Sequence, residues 1–307
     1  MLFYFPRQFR PFVPAILILL VFIPNVAMGQ ETEESSITID STLVILNAAI
    51  TDANGRLVSG LKKNEFTILE DGIEQTVDFF SAEETPFAAV ILIDTSGSMG
   101  RSVSLARAAA TRFLDGLRPD DNVAIYSFDT KVTLVQDFSN SRDVSERIFD
   151  LKSYGWTVMN DAVFTAAEAL ANRPEKRRAI ILLSDGADTR SSRSASRALQ
   201  TALAADAAIY TVDMAPSGSS SAVQNRSVLR NFSQRTGGTF ISTPGGIAMR
   251  EAFEKIVAEL GVQYTLGYSP KNTVKDGTWR AIEVRVARPR LTIRTRQGYT
   301  AERAARN

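Results

Sequence analysis

Ala88-Ala89-Val90-Ile91-Leu92-Ile93-Asp94-Thr95-Ser96-Gly97-Ser98-Met99 is the stretch on which the reading of this chain turns. Six apolar residues, 88–93, make a run long enough for a strand buried on both faces and short for a helix. Asp94 ends the run, and Ser96 and Ser98 follow at alternate positions. Gly97 and Gly100 allow a sharp turn before an alanine-rich helical pattern begins. A carboxylate and two hydroxyls are therefore expected at the carboxyl end of a central parallel strand, where open α/β sheets place their ligand sites. Oxygen donors of this kind suit a hard divalent cation of the magnesium or calcium class and not zinc or copper.

Working outward, similar strand-like runs recur at 123–128, 179–184, 209–214 and 239–242, with an edge strand at 131–135. Helical patterns lie between them. Val103, Ala106, Ala110, Phe113, Leu114 and Leu117 share one helical face; so do Val163, Ala166, Ala167 and Leu170; so do Phe253, Ile256, Val257 and Leu260. Strands alternating with helices predict an α/β fold, a doubly wound, mostly parallel sheet covered on both faces.

The flanks have a different period. Before the α/β region, Ile37, Ile39, Leu43, Ile45, Phe66 and Ile68 alternate with polar residues, and Asp52-Ala53-Asn54-Gly55 and Glu70-Asp71-Gly72 read as turns. After it, 264–268, 282–286 and 291–296 alternate again, with a turn at Lys275-Asp276-Gly277. Neither group is long enough for a comfortable core alone. One β-sandwich built from both groups, with the α/β domain inserted, is the economical solution. The expected layout is a signal peptide at 1–29, the first part of the sandwich at 35–85, the α/β domain at 86–261, the second part of the sandwich at 262–300 and a tail at 301–307.

The signal rests on Arg7 and Arg10 as the only charges, an apolar run at 12–23 and the cleavage triplet Ala27-Met28-Gly29. The run falls short of the ~20 residues a membrane-spanning helix needs; an uncleaved anchor is the alternative. The expectation is an exported protein, periplasmic or secreted, without a stable membrane span after signal removal.

Composition excludes much chemistry. Apolar residues make up 44% and charged residues 22% of the 307, an ordinary folded protein. Basic and acidic residues number 35 and 34, and removing the two signal arginines leaves 33 against 34, so no global field points to nucleic acid. With no cysteine and no histidine there is no disulfide, no thiolate nucleophile, no Ser-His-Asp triad and no histidine-ligated zinc.

Two further stretches complete a constellation. Tyr154-Gly155-Trp156-Thr157-Val158-Met159-Asn160-Asp161 puts Thr157 on a loop before a helix, and Ile181-Leu182-Leu183-Ser184-Asp185-Gly186 puts Asp185 at the end of another buried strand. With these pieces in order, the region from Pro86 to Leu260 resembles a von Willebrand factor type A domain carrying a metal-ion-dependent adhesion site. That resemblance implies that Ser96, Ser98 and Thr157 are hydroxyl ligands of a divalent ion, magnesium first and manganese or calcium as alternatives. It further implies that Asp94 and Asp185 bind the ion directly or through water, and that Asp161 braces the Thr157 loop. Neutral hydroxyls leave such a cation under-neutralised, so the implied partner is a protein that supplies an Asp or Glu carboxylate. Trp156 departs from the small residue usual before the loop threonine. It reads either as a ring packed under the rim or as an exposed anchor beside the ion that also narrows access. The flanks, 52–61 with Phe66 to Gly72 and Tyr264 to Pro270 through Tyr299, look like the ends of an exported bacterial von Willebrand-related group of the acidobacterial type.

Rival readings are set against this one. An aspartyl phosphatase needs a second Asp two residues after the first, where Ser96 stands, and neither a phosphate-binding nor a dinucleotide-binding glycine motif is present. A serine nucleophile lacks a base at convincing spacing. No enzyme activity is expected; a metal-independent envelope scaffold, and behind it a hydrolase, are the alternatives. Arg280, Arg285, Arg288, Arg290, Arg294 and Arg296 form either a basic binding face or, as preferred, a solvated face paired with acids such as Glu70, Asp71 and Glu74.

Overall fold

The computed structural model describes residues 43–301, apart from 83, 101, 144, 216–221 and 243–246. The expected signal, Ile37, Ile39 and all of the tail but Ala301 lie outside the described residues. The central strand is β5 (Phe87–Asp94), and every one of its residues is buried. It is flanked by β6 (Asn122–Phe128) on one side and β8 (Arg177–Ser184) on the other, both parallel to it. β9 (Ala207–Asp213) and β10 (Phe240–Ser242) continue the parallel sheet, and β7 (Val132–Ser139) closes the opposite edge antiparallel to β6. The order β10-β9-β8-β5-β6-β7 reverses direction at β5, so the crevice between the carboxyl ends of β5 and β8 is the topological switch point.

Alternate residues of β5 serve two cores. Phe87, Ala89, Ile91 and Ile93 pack with α1 (Ser102–Asp115) and α5 (Ile247–Val262). Ala88, Val90 and Leu92 pack with α2 (Met159–Ala171), α3 (Ala195–Ala204) and α4 (Ala222–Thr236). Each buried Ile or Leu contributes roughly 1.5–3 kcal/mol. A strand apolar on both faces therefore has no stable place except the middle of this sandwich of layers.

The flanking strands form two four-stranded sheets. One, ordered β13-β1-β11-β4, comprises β1 (Val44–Thr51), β4 (Phe79–Ser81), β11 (Tyr264–Tyr268) and β13 (Thr292–Arg294). The other, ordered β14-β12-β2-β3, comprises β2 (Phe66–Glu70), β3 (Ile73–Gln75), β12 (Trp279–Val286) and β14 (Gly298–Thr300). Leu46, Ile50, Ile68, Tyr264, Leu266 and Val284 from both sheets meet in a single apolar cluster, the core of the sandwich. The α/β layer enters between β4 and β11, which pair with each other. The phase of β1 differs from expectation. Val44, Leu46, Ala48 and Ile50 face the core, whereas Leu43 is exposed and Ile45 half-buried.

The arginines of the last strands follow expectation only in part. Arg285 pairs with Glu283 and Arg288 with Glu65 on the surface, and Arg280 lies 3.2 Å from Asp276 and 4.0 Å from Asp71. Arg294 and Arg296 instead turn toward the α/β layer, onto Glu259 and Asp206. Of the acids named for pairing, Asp71 lies beside Arg280, whereas Glu70 is buried and accepts the hydroxyls of Tyr268 and Tyr299.

Arg177, at the first position of β8, is fully buried where the two layers meet. Its guanidinium donates to the carbonyls of Gly261 (2.9 Å) and Gln263, and lies 3.4 Å from the Leu260 carbonyl. Burial, aided by the Arg118 charge, pulls it down to about 10, so it stays charged at neutral pH. Arg177→Ala would leave buried carbonyls without a donor. We expect it to lower the free energy of unfolding by about 3 kcal/mol, read from urea denaturation.

Candidate functional site

The site is built on two parallel strand ends. β5 stops at Asp94 and β8 at Ser184, and the Ser184 hydroxyl donates to Asp94 Oδ2 at 2.6 Å. Asp94 Oδ1 accepts the backbone N–H of Ser96 at 2.9 Å, which curls the chain back immediately after the strand. Asp185 follows Ser184, and its Oδ1 accepts the N–H of Ala187 at 3.0 Å. Gly186 makes that turn with φ of +80°, a conformation in which a Cβ would lie 2.6 Å from the Asn225 carbonyl oxygen.

The two serines stand in the next turn. Ser96 is buried, Ser98 is exposed, and their hydroxyl oxygens are 3.1 Å apart. A second loop is fastened to this one by three hydrogen bonds. Ser153 Oγ donates to the Ser96 carbonyl (2.6 Å), the Tyr154 N–H to the Thr95 carbonyl (2.8 Å), and the Gly97 N–H to the Gly155 carbonyl (3.1 Å). Gly155 has φ of +77°, and a Cβ there would sit 2.4 Å from Thr130 Oγ1. That second loop ends on Thr157, which is buried. A third loop, after β8, holds Thr157 in turn: its N–H donates to Thr189 Oγ1, and its carbonyl accepts the N–H groups of Thr189 and Arg190, each at 3.0 Å.

All five expected ligands, Asp94, Ser96, Ser98, Thr157 and Asp185, thus lie on three mutually bonded loops at one end of the sheet. Asp161 is in the first turn of α2, but its carboxylate accepts the N–H groups of Ser192 (2.9 Å) and Arg193 (3.0 Å). It braces the third loop and not the Thr157 backbone. The residue sequence reasoning missed is Asp188. Its Oδ2 accepts the N–H of Asn160 (2.7 Å) at the start of α2, and its carboxylate also receives both N–H and hydroxyl of Ser191. An Asp followed three positions on by a Ser, just after a strand-end turn, was the available signal. Trp156 is 53% exposed, so the reading that packs it under the rim is wrong; the Arg190 guanidinium lies 4.8 Å from its ring centroid.

Among the described residues no three His, Cys, Asp or Glu side chains form a group that could hold a metal. The five expected ligands are two carboxylates and three alcohols, oxygen-only chemistry that would fit magnesium or manganese better than a thiolate- or imidazole-seeking metal. The electrostatics fit a cation too. Burial pushes the Asp94 carboxyl up to about 6; hydrogen bonds from Ser184 and Ser96 oppose the rise, and the Asp185 charge adds to it. A raised carboxyl costs the folded state as it ionises, so this cost develops as pH rises from about 4 to 6 and is complete above 6. With chelator present, Asp94→Asn is expected to be more stable than the unsubstituted protein at pH 7.5, by on the order of 2 kcal/mol, and equal to it at pH 4. Thermal unfolding at the two pH values checks this; a variant less stable at both would contradict it.

Comparison with known proteins bears on the fold. Residues 89–187 match the family model of the von Willebrand factor type A domain, a span that contains all five expected ligands. No curated protein matches the chain. Among solved structures, the vWF domain of the type V pili tip protein Mfa5 from Porphyromonas gingivalis superposes with a TM-score of 0.50 at 16% identity, covering 59% of this chain and 98% of that one. A von Willebrand factor type A protein from Catenulispora acidiphila gives a TM-score of 0.48 at 18% identity, covering 86% of this chain and 64% of that one. BatB from Bacteroides thetaiotaomicron gives 0.46 at 15% identity, covering 57% and 98%. The α/β layer of this chain has the fold of a von Willebrand factor type A domain.

Proposed function

We propose that this chain is an exported, non-catalytic protein-binding module that recognises an acidic side chain of its partner through a divalent cation. Ser96, Ser98 and Thr157 hold the cation by their hydroxyls, with Asp94 and Asp185 beside or behind them. When bound, the ion supplies a strong positive charge with a coordination position open to an incoming carboxylate. The protein's own residues do the rest. Asp94 keeps a negative charge at the base of the site above pH 6, Ser184 orients that carboxylate, and the Thr189 and Asp188 bonds hold the Thr157 loop in place before any partner arrives.

The observation that supports this reading is the interlock of the three loops, whose backbone hydrogen bonds hold the segments carrying Asp94, Ser96, Ser98, Thr157 and Asp185 against one another. An adhesive role is in keeping with the description of the Porphyromonas gingivalis structure as the vWF domain of a pilus tip protein. Export rests on the amino-terminal pattern, and kinship with exported bacterial proteins of the acidobacterial type on the flanking motifs.

Titration calorimetry at pH 7.5 should show one-site uptake of magnesium or manganese that Asp94→Ala abolishes. Pull-down from an envelope extract should recover a partner with magnesium and at least about tenfold less with chelator or with Asp94→Ala. Equal recovery in all three conditions would leave the scaffold reading in its place.

A further inference from the structure

Tyr154 and Trp156 stand on either side of Gly155, and they are 78% and 53% exposed. Single exposed apolar residues are ordinary. These two differ in being held. The carbonyl between them accepts the N–H of Gly97, the residue between Ser96 and Ser98. Thr130 Oγ1 receives the Trp156 N–H at 3.4 Å and occupies the space a Cβ on Gly155 would need, so the backbone that presents both rings has little freedom. Arg190 lies over the indole while its own N–H is bonded to the Thr157 carbonyl. Two aromatic rings and a guanidinium are thus tied by backbone hydrogen bonds to the two loops that carry the hydroxyl ligands. Lys131 and Lys152 are exposed on the neighbouring turns. Of the acids there, Asp129 turns its carboxylate to the Lys131 backbone, and Asp150 is exposed.

We propose that the partner residue recognised here is not an isolated acid but part of an extended acidic–apolar peptide segment. In it, an aromatic or aliphatic side chain one or two positions from the carboxylate rests against Tyr154 and Trp156. The apolar neighbour gains the desolvated contact area that aromatic anchors supply at interfaces, and Arg190 favours further negative charge on the same segment. The proposal rests on the cation-dependent reading above and adds to it the identity of the segment.

Short random peptides displayed on phage and selected on the full chain with magnesium test it, followed by binding of a selected peptide to Asp94→Ala and to a Tyr154→Ser/Trp156→Ser double variant. The expected peptides carry Asp or Glu with an aromatic or aliphatic residue within two positions. The double variant should bind them at least about tenfold more weakly while taking up magnesium like the unsubstituted protein. Acidic peptides without an apolar neighbour, bound equally by the double variant, would overturn the proposal and leave the cation reading standing. Peptides recovered equally in chelator would overturn both. An empty selection, with magnesium-dependent capture of the chain on polygalacturonate beads, would overturn it in favour of an acidic glycan.

Discussion

A carboxylate with no solvent exposure at the end of the central strand is the constraint around which the site is arranged. Asp94 is held by two neutral donors, the Ser184 hydroxyl and the Ser96 N–H. Neutral donors satisfy its lone pairs without cancelling its charge, and burial with Asp185 nearby makes that charge expensive. The fold keeps a group it would be easier to do without. A cation is the natural counterpart to such a group, and the surrounding alcohols are the neutral oxygens that would complete its shell without quenching it.

The rest of the α/β layer gives that carboxylate a rigid address. β5 is apolar on both faces, so it lies at the centre of the sheet, and the change of winding direction beside it sets the switch point between the strand ends that carry Asp94 and Asp185. Hydrogen bonds then close the loops on each other in a ring: the β5 loop to 153–155, Thr157 to 189–190, Asp161 to 192–193, Asp188 back to Asn160, and Ser184 to Asp94. The opposite side of the layer is tied to the sandwich by Arg177 on Thr265 of β11, by Arg294 on Glu259 and by Arg296 on Asp206. These contacts explain why the strands at the two ends of the chain accompany the inserted domain. They cover polar backbone at its base, on the side of the layer away from the strand ends that carry Asp94 and Asp185.

Much of this was legible in residue order, for identifiable reasons. The buried strands stand out because runs such as 88–93 and 179–183 offer no polar face, and the positions after such runs are where α/β sheets carry ligands. The placement of Asp94, Ser96, Ser98 and Asp185 follows from that rule; Thr157 needed the order of the motifs as well. The phase of β1 did not follow, because Val44, Ile45 and Leu46 are apolar in succession and only pairing with β11 decides which pair of faces is inward. α4 had no pattern to read: its Gln, Asn, Arg and Ser residues surround a buried pair, Leu229 and Phe232. The direction of Trp156, the partner of Asp161 and the destinations of Arg294 and Arg296 are set by contacts between segments far apart in sequence, and no local pattern encodes them.

The central claim is that the alcohols of Ser96, Ser98 and Thr157, with Asp94 and Asp185 behind them, form a seat for a hard divalent ion. Crystals grown with manganese, measured at its absorption edge, test this most directly. The account predicts one anomalous peak in the crevice at the carboxyl ends of β5 and β8, within bonding distance of those three hydroxyl oxygens. A crevice without a peak, or manganese held at some other part of the chain, would contradict it.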